Sequence, residues 1–185
     1  MVLTETPAGE LGSTAPDFSL KDVYGKLVPL ADCRGERGTL VMFICNHCPY
    51  VKAIQERLVR DTAELLQHGV KSVAIMSNDP TEYPEDSLEN MYLVAERWQY
   101  PFPYLVDETQ DIARAYGAVC TPDFFGYDAD LKLRYRGRLD DSGRQAVPNA
   151  RRELFEALRG IASGGPAPRE QSPSVGCSIK WRGMR

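Results

Sequence analysis

The sequence predicts one α/β domain built on a mixed central sheet flanked by helices. Three observations predict it. Two short apolar runs, Thr39–Ile44 and Val70–Met76, read as buried strands. The segment between them has the period of a helix. The second half adds a strand pair and a last amphipathic helix. Strand–helix–strand–helix order followed by a hairpin and a helix is the pattern of an α/β domain.

Taken in order, the first twenty residues read as loop, with Pro7, Gly9, Gly12 and Pro16. Asp22–Pro29 holds Gly25 between short extended segments and reads as a hairpin or turn. The first buried strand, Thr39–Ile44, follows Gly35 and Gly38. Val51, Ile54, Leu58, Thr62 and Leu65 then recur at spacings of three and four, on one helix face, and Gly69 is a stop signal. After the second strand comes a polar loop, Ser77–Pro84. Leu88, Met91, Tyr92, Ala95 and Trp98 mark a second helix, and Phe102–Val106 a short strand. Ile112, Ala115 and Tyr116 mark a third helix, ended by Gly117. Phe124–Tyr127 and Leu131–Tyr135 read as a hairpin, and Ala150–Ile161 as the last helix. Residues 1–162 are therefore expected to form the domain. Residues 163–185 are expected to be a tail without its own core. Its segment SPSVGCSIKW ends on apolar groups, so the tail is expected to pack on the domain or on a partner subunit.

A chain of 185 residues buries roughly 70% of its unfolded surface and needs no disulfide or metal to hold a core. The formal net charge of −4 gives no basic nucleic-acid footprint. No apolar run approaches the ~20 residues that span a bilayer. Met1–Asp17 lacks the basic start and apolar stretch of a secretory signal, so a cytoplasmic location is expected. Five widely spread cysteines do not read as a disulfide framework. Only Cys45 and Cys48 lie close together, and such a pair in a reducing compartment is catalytic or metal-binding more often than structural.

The run Cys45–Asn46–His47–Cys48 sits where a buried strand hands over to a helix. The first N–H groups of a helix lack intrahelical partners, and its dipole is positive there. A thiolate at that point is stabilised, and the thiolate is the species that attacks a disulfide. Cys45 is therefore expected to be the exposed, low-pKa nucleophile, and Cys48, one turn on, the resolving thiol. His47 is expected to add positive charge beside Cys45. Pro49 requires the helix to begin at or just before Cys48, or to be distorted there. A zinc site is disfavoured: zinc takes four ligands, usually from two paired sets, and only one C-x-x-C is present. His68, at a helix end, reads as solvated. Lys52, one turn beyond Cys48, either lends charge to the site or faces solvent. Cys33 reads as an incidental loop cysteine. Cys120, two residues before Pro122, either faces the redox pair or is a small buried residue. Cys177 is either a third thiol that reaches the pair or an inert buried one.

The segment GSTAPDFSLKDVYGKLVPLADCRG followed by TLVMFICNHCPYVK resembles the redoxin branch of the thioredoxin superfamily, which includes alkyl hydroperoxide reductase C-like peroxiredoxins and TlpA-like thioredoxins. CNHCPYVK, YPEDS, FPYLVDETQ, YGAVCTPDFF and GCSIKW are similar to a bacterial subgroup labelled thiol–disulfide oxidoreductases. The resemblance implies a thioredoxin fold with an N-terminal extension and an inserted strand–helix unit. It implies that Cys45 and Cys48 are the redox pair and that Pro122 is a cis-proline facing them. A cis Thr121–Pro122 bond is expected to offer the Thr121 backbone to an incoming peptide, making Thr121 and Pro122 substrate-binding residues. The substrate is expected to be a protein or small-molecule disulfide. No cofactor, metal, nucleic acid or membrane partner is expected; the electron donor and oligomeric state stay open. Asn46–His47 replaces the Gly–Pro of ordinary thioredoxins, and Ile44 stands where they have Trp, so the direction of transfer is open as well. Peroxiredoxins use T-x-x-C and a supporting arginine; here Cys45 stands at the threonine and Thr121–Pro122 where the arginine is expected. That leaves a thiol peroxidase as the weaker alternative. A non-enzymatic metal- or thiol-binding module is weaker still, because no histidine follows His68.

Overall fold

The computed structural model describes residues 3–183. Its elements run β1 (Leu3–Glu5), β2 (Ser19–Asp22), β3 (Leu27–Pro29), α1 (Leu30–Cys33), β4 (Gly38–Phe43), α2 (Pro49–Gln67) and β5 (Val70–Met76). A 3-10 turn at Pro84–Asp86 precedes α3 (Leu88–Trp98), β6 (Tyr104–Val106), α4 (Asp111–Tyr116), β7 (Cys120–Thr121), β8 (Asp123–Asp128), β9 (Leu133–Gly137), α5 (Glu153–Ala162) and β10 (Val175–Ser178).

The main sheet has the order β3-β2-β6-β5-β4-β8-β9. β4 pairs parallel with β5 and antiparallel with β8, so Val41 lies between Val73 and Phe125. All six residues of β4 are buried, as expected of a strand covered on both faces. Strand alternation divides its side chains between two cores. Leu40 and Met42 join Leu58 and Leu65 of α2, Met91 of α3 and Leu158 of α5. Val41 and Phe43 face the other way, with Leu30 of α1, Ala113 and Tyr116 of α4, and Phe125. Truncating a side chain as buried as Phe43 to alanine costs about 3–5 kcal/mol.

α2 starts at Pro49, with Cys48 as its N-cap in extended conformation. Proline is suited to the first helical position, where its missing N–H would be unsatisfied anyway. The helix ends before Gly69, whose φ of +78° a side chain would strain. Among the described residues no helix is long and apolar enough to cross a membrane.

Several boundaries differ from expectation. The N-terminal segment is not all loop: Leu3–Glu5 is a strand, too short to show a period, with Leu3 exposed. The strand expected from Phe102 starts only at Tyr104, after Pro103. The last helix begins at Glu153, just after Asn149 takes a left-handed φ. Cys33 is not in a loop but ends α1, buried in the second core, where burial pushes its thiol up to about 11. His68, by contrast, is exposed at the end of α2, as expected of a solvated helix-end residue, and its ring meets Phe155 edge-on.

A second sheet has the order β1-β10-β7, with both pairings antiparallel. It places the chain's last strand between its first strand and the short strand before Pro122. Just beyond β10, residues 179–181 stay on the domain. Ile179 is buried in the second core, Trp181 packs against it, and the Arg114 guanidinium lies 4.7 Å over the Trp181 ring. Lys180 O accepts from the Asp79 amide and the Gln110 side chain, both at 2.8 Å.

Candidate functional site

β4 delivers the chain to Cys45 and α2 carries it away from Cys48, so the two cysteines lie on the strand-to-helix junction. Opposite them is the Thr121–Pro122 peptide, which is cis. Cys45 Sγ lies 3.2 Å from Thr121 Oγ1 and is hydrogen-bonded with Cys48. The Cys48 thiol donates to Thr121 O at 3.1 Å and lies 2.8 Å from Cys177 Sγ. The three sulfurs thus form a chain with Cys48 in contact with both others.

The electrostatics reverse the expected order of Cys45 and Cys48. Cys45 is 1% exposed and Cys48 0%. Burial, the largest influence, pushes the Cys45 thiol well above the usual range. Its contact with Cys48 and the charge of Asp86 add to this, and the Thr121 hydroxyl pulls the other way. Cys48 is held low by hydrogen bonds from Cys177 first and Cys45 second, against burial, with help from the Val51 amide in the first turn of α2. The Thr121 carbonyl opposes ionisation of Cys48, because it can accept only from S–H. The balance of these influences raises the Cys45 thiol and lowers the Cys48 thiol. The start of the helix adds a lesser share: with Pro49 at its first position, the helix N-terminus serves Cys48, and Cys45 lies outside it, three residues before the cap.

His47 reaches Cys45, as its place in the sequence suggests, but Asp86 holds it more closely. Its Nδ1 is 2.6 Å from Asp86 Oδ2 but 3.6 Å from Cys45 Sγ. Asp86 is fully buried and also accepts from the Asn46 amide at 2.8 Å, the His47 amide at 3.1 Å and Asn78 Nδ2 at 2.9 Å. Its burial works to raise its pKa, but the hydrogen bonds from His47 and Asn78 and the His47 charge outweigh this and hold the carboxyl low. The Tyr83 ring stacks on His47 at 4.2 Å between centroids. Cys45, His47 and Asp86 bring one potential metal-ligand atom each within 4.8 Å of one another. Those of His47 and Asp86 are already spent on each other and on the loop amides.

The remaining expected residues divide. Lys52 is exposed and stays outside the site. Cys120 is buried with its sulfur 3.8 Å from Pro122 O, and burial raises its thiol. Thr121 does not offer its backbone to solvent: β10 already pairs with it, Cys177 opposite Thr121. Pro122 does line a cleft of about 240 Å³, with Tyr50, Ile54, Phe124, Leu139 and Val175. The segment YPEDS carries part of the family resemblance, but sequence reasoning gave no role to its Tyr83 or Asp86, nor to Asn78. An acidic residue after a proline in a polar loop reads as solvated, and only the folded chain brings it under His47.

The AhpC/TSA family model matches residues 11–136. A thiol-disulfide oxidoreductase ResA of Geobacillus kaustophilus is 30% identical over 138 residues, covering 71% of each chain. The crystal structure of an uncharacterised conserved protein from the same species is 49% identical. It superposes with a TM-score of 0.95 over 100% of this chain and 99% of that one. The thioredoxin domain of a thiol-disulfide oxidoreductase from Bacteroides vulgatus is 18% identical, with a TM-score of 0.62 over 84% of this chain and 99% of that one, a likeness of fold. The chain has the thioredoxin fold and belongs to the AhpC/TSA family.

Proposed function

We propose that this chain is a thiol–disulfide oxidoreductase that exchanges disulfides through Cys45 and Cys48. The observation that carries the reading is the hydrogen bond between the two sulfurs at a strand-to-helix junction, against Thr121. Such contact lets one sulfur take the other's proton and later displace its leaving group.

In the reduced state Cys48 is the first thiolate and Cys45 keeps its proton. When a substrate disulfide arrives, Cys48 accepts the Cys45 proton and the Cys45 sulfur attacks. A Cys45–substrate mixed disulfide forms, and the departing sulfur takes the proton from Cys48. The Cys48 thiolate then attacks Cys45 Sγ, the internal disulfide closes, and the second substrate sulfur leaves and is protonated by water. Two protein thiols are oxidised and one substrate disulfide is reduced; reversal oxidises a dithiol. The substrate class is a protein or small-molecule disulfide, and the cleft beside Pro122, part apolar and part lined by Arg138, Asp140 and Asp141, is the surface that fits its side chains. Both sulfurs are nearly inaccessible, so engagement requires a local opening.

The test is single-turnover exchange with a peptide disulfide. Cys45→Ser should abolish it. Cys48→Ser, in a Cys177→Ser background, should accumulate the mixed disulfide on Cys45, seen as an added peptide mass. Full turnover in Cys45→Ser, or turnover without a trapped adduct in the Cys48 variant, contradicts the reading.

A further inference from the structure

The tail strand brings a third thiol to the redox pair. Cys177 Sγ is 2.8 Å from Cys48 Sγ, hydrogen-bonded and not covalently bonded to it. Its position is fixed on both sides of β10: Cys177 lies opposite Leu3 of β1 and opposite Thr121 of β7. Ser174 Oγ donates to Pro122 O at 2.7 Å, and the Ile179 amide donates to Val119 O at 3.0 Å. A side chain at position 176 would overlap the Thr121 carbonyl, so only glycine lets the strand come this near. Cys177 lies outside residues 11–136, the part that matches the family.

Cys48 therefore touches two thiols and can bond to only one of them at a time. We propose that Cys177 is the third thiol of an internal exchange in which it takes over the disulfide from Cys45. The step rests on the function proposed above, since it starts from the Cys45–Cys48 disulfide. Cys177 attacks Cys48 Sγ; the Cys177–Cys48 bond forms as the Cys45–Cys48 bond breaks. Cys45 leaves as a thiolate and takes up the proton that Cys177 gives up. One disulfide and one thiol are present before and after, so no outside oxidant or reductant is consumed. Holding attacker and target in contact removes the encounter cost that separate molecules would face. The consequence is a division of labour. Cys45 meets the substrate disulfide, and the oxidising equivalents pass to the pair Cys48–Cys177 on the tail strand, where a dithiol donor resets the protein.

Disulfide mapping tests this on the full wild-type chain. The reduced protein is treated with oxidised glutathione in graded amounts, quenched in acid, alkylated, digested with trypsin and analysed by mass spectrometry. A Cys45–Cys48 bond stays inside the peptide 38–52, whereas a Cys48–Cys177 bond links it to the peptide 170–180. The expected result is the linked species with Cys45 alkylated, alongside the internal one. Cys177→Ser should remove the linked species and slow multiple turnover about tenfold, with the thermal midpoint close to that of wild type. Formation of Cys45–Cys48 alone, with Cys177 alkylated at every glutathione level, overturns the internal exchange and leaves the oxidoreductase reading standing. Absence of any bond at Cys45 and Cys48 overturns both.

Discussion

His47 is held more closely by Asp86 than by Cys45: 2.6 Å separates Nδ1 from the carboxylate, against 3.6 Å to Cys45 Sγ. The active-site loop is thereby tied to the turn before α3, and the charge a protonated His47 would carry is answered by Asp86. Asp86→Asn should expose this dependence. The amide can still accept from the Asn46 and His47 amides, but its NH₂ would face the His47 ring and Asn78 Nδ2. The loss of a charged acceptor with those partners should cost about 2–4 kcal/mol in denaturant unfolding. The pH dependence has a definite sign. Asp86 is depressed in the folded state, so the unfolded chain binds its proton first as pH falls. This stabilisation is complete above the ordinary aspartate value of 3.8 and is lost as pH falls through the lower, folded value. The Asn variant should lack that segment of the acid-unfolding curve.

The thiol order is open to spectroscopy. Thiolate absorbance near 240 nm should rise first from Cys48, below the ordinary thiol range. Cys45→Ser should keep that first transition and Cys48→Ser should lose it. Cys177→Ser should move it to higher pH, because the Cys177 hydrogen bond is the largest influence holding Cys48 low. A first transition that follows Cys45 instead would reverse the assignment.

Much of the architecture was legible because it rests on strong local patterns. The buried runs at β4 and β5 and the period of α2 each report burial directly. Pro49 announced that the helix starts beside Cys48, yet the consequence, that Cys48 and not Cys45 receives the helix end, needed the cap geometry. β1 and β10 were illegible as a sheet. They are three and four residues long, and each is defined by a partner more than a hundred residues away. Cys177 could be flagged as unusual, but its 2.8 Å approach to Cys48 depends on that pairing. Asp86 was hidden for a different reason: its burial is compensated by donors from Asn46, His47 and Asn78, which no local pattern reveals.

Gly176→Ala tests how tightly the tail strand is seated. The added methyl would meet the Thr121 carbonyl, backbone that cannot yield without breaking the β7 pairing. Overpacking of this kind should cost about 3 kcal/mol in urea unfolding. Cys48 and Cys177 should become faster to alkylate in the native protein as β10 lifts. Unchanged stability and unchanged alkylation would mean that β10 is not held as described.

Thr121→Val separates the hydroxyl from the backbone carbonyl. The substitution keeps the shape and leaves the Cys48 contact with Thr121 O, but removes the hydroxyl that lowers the Cys45 thiol. Losing one hydrogen bond of about 1 kcal/mol should slow the Cys45 attack roughly fivefold. Stopped-flow exchange at several pH values checks this, and the loss should shrink at high pH, where Cys45 ionises unaided.

The central claim is that Cys45 and Cys48 form one reversible redox couple. Its most direct measurement is an equilibrium titration of the protein in a glutathione or dithiothreitol buffer series, with Cys45 and Cys48 followed by alkylation and mass spectrometry. The expected result is a single two-electron transition in which Cys48 is lost to alkylation together with Cys45 or, after the internal exchange, with Cys177, fully reversible on returning to reducing buffer, and in Cys177→Ser the loss of Cys45 and Cys48 together. Cys45 and Cys48 remaining alkylatable across the whole series, or oxidising independently and irreversibly, would contradict it.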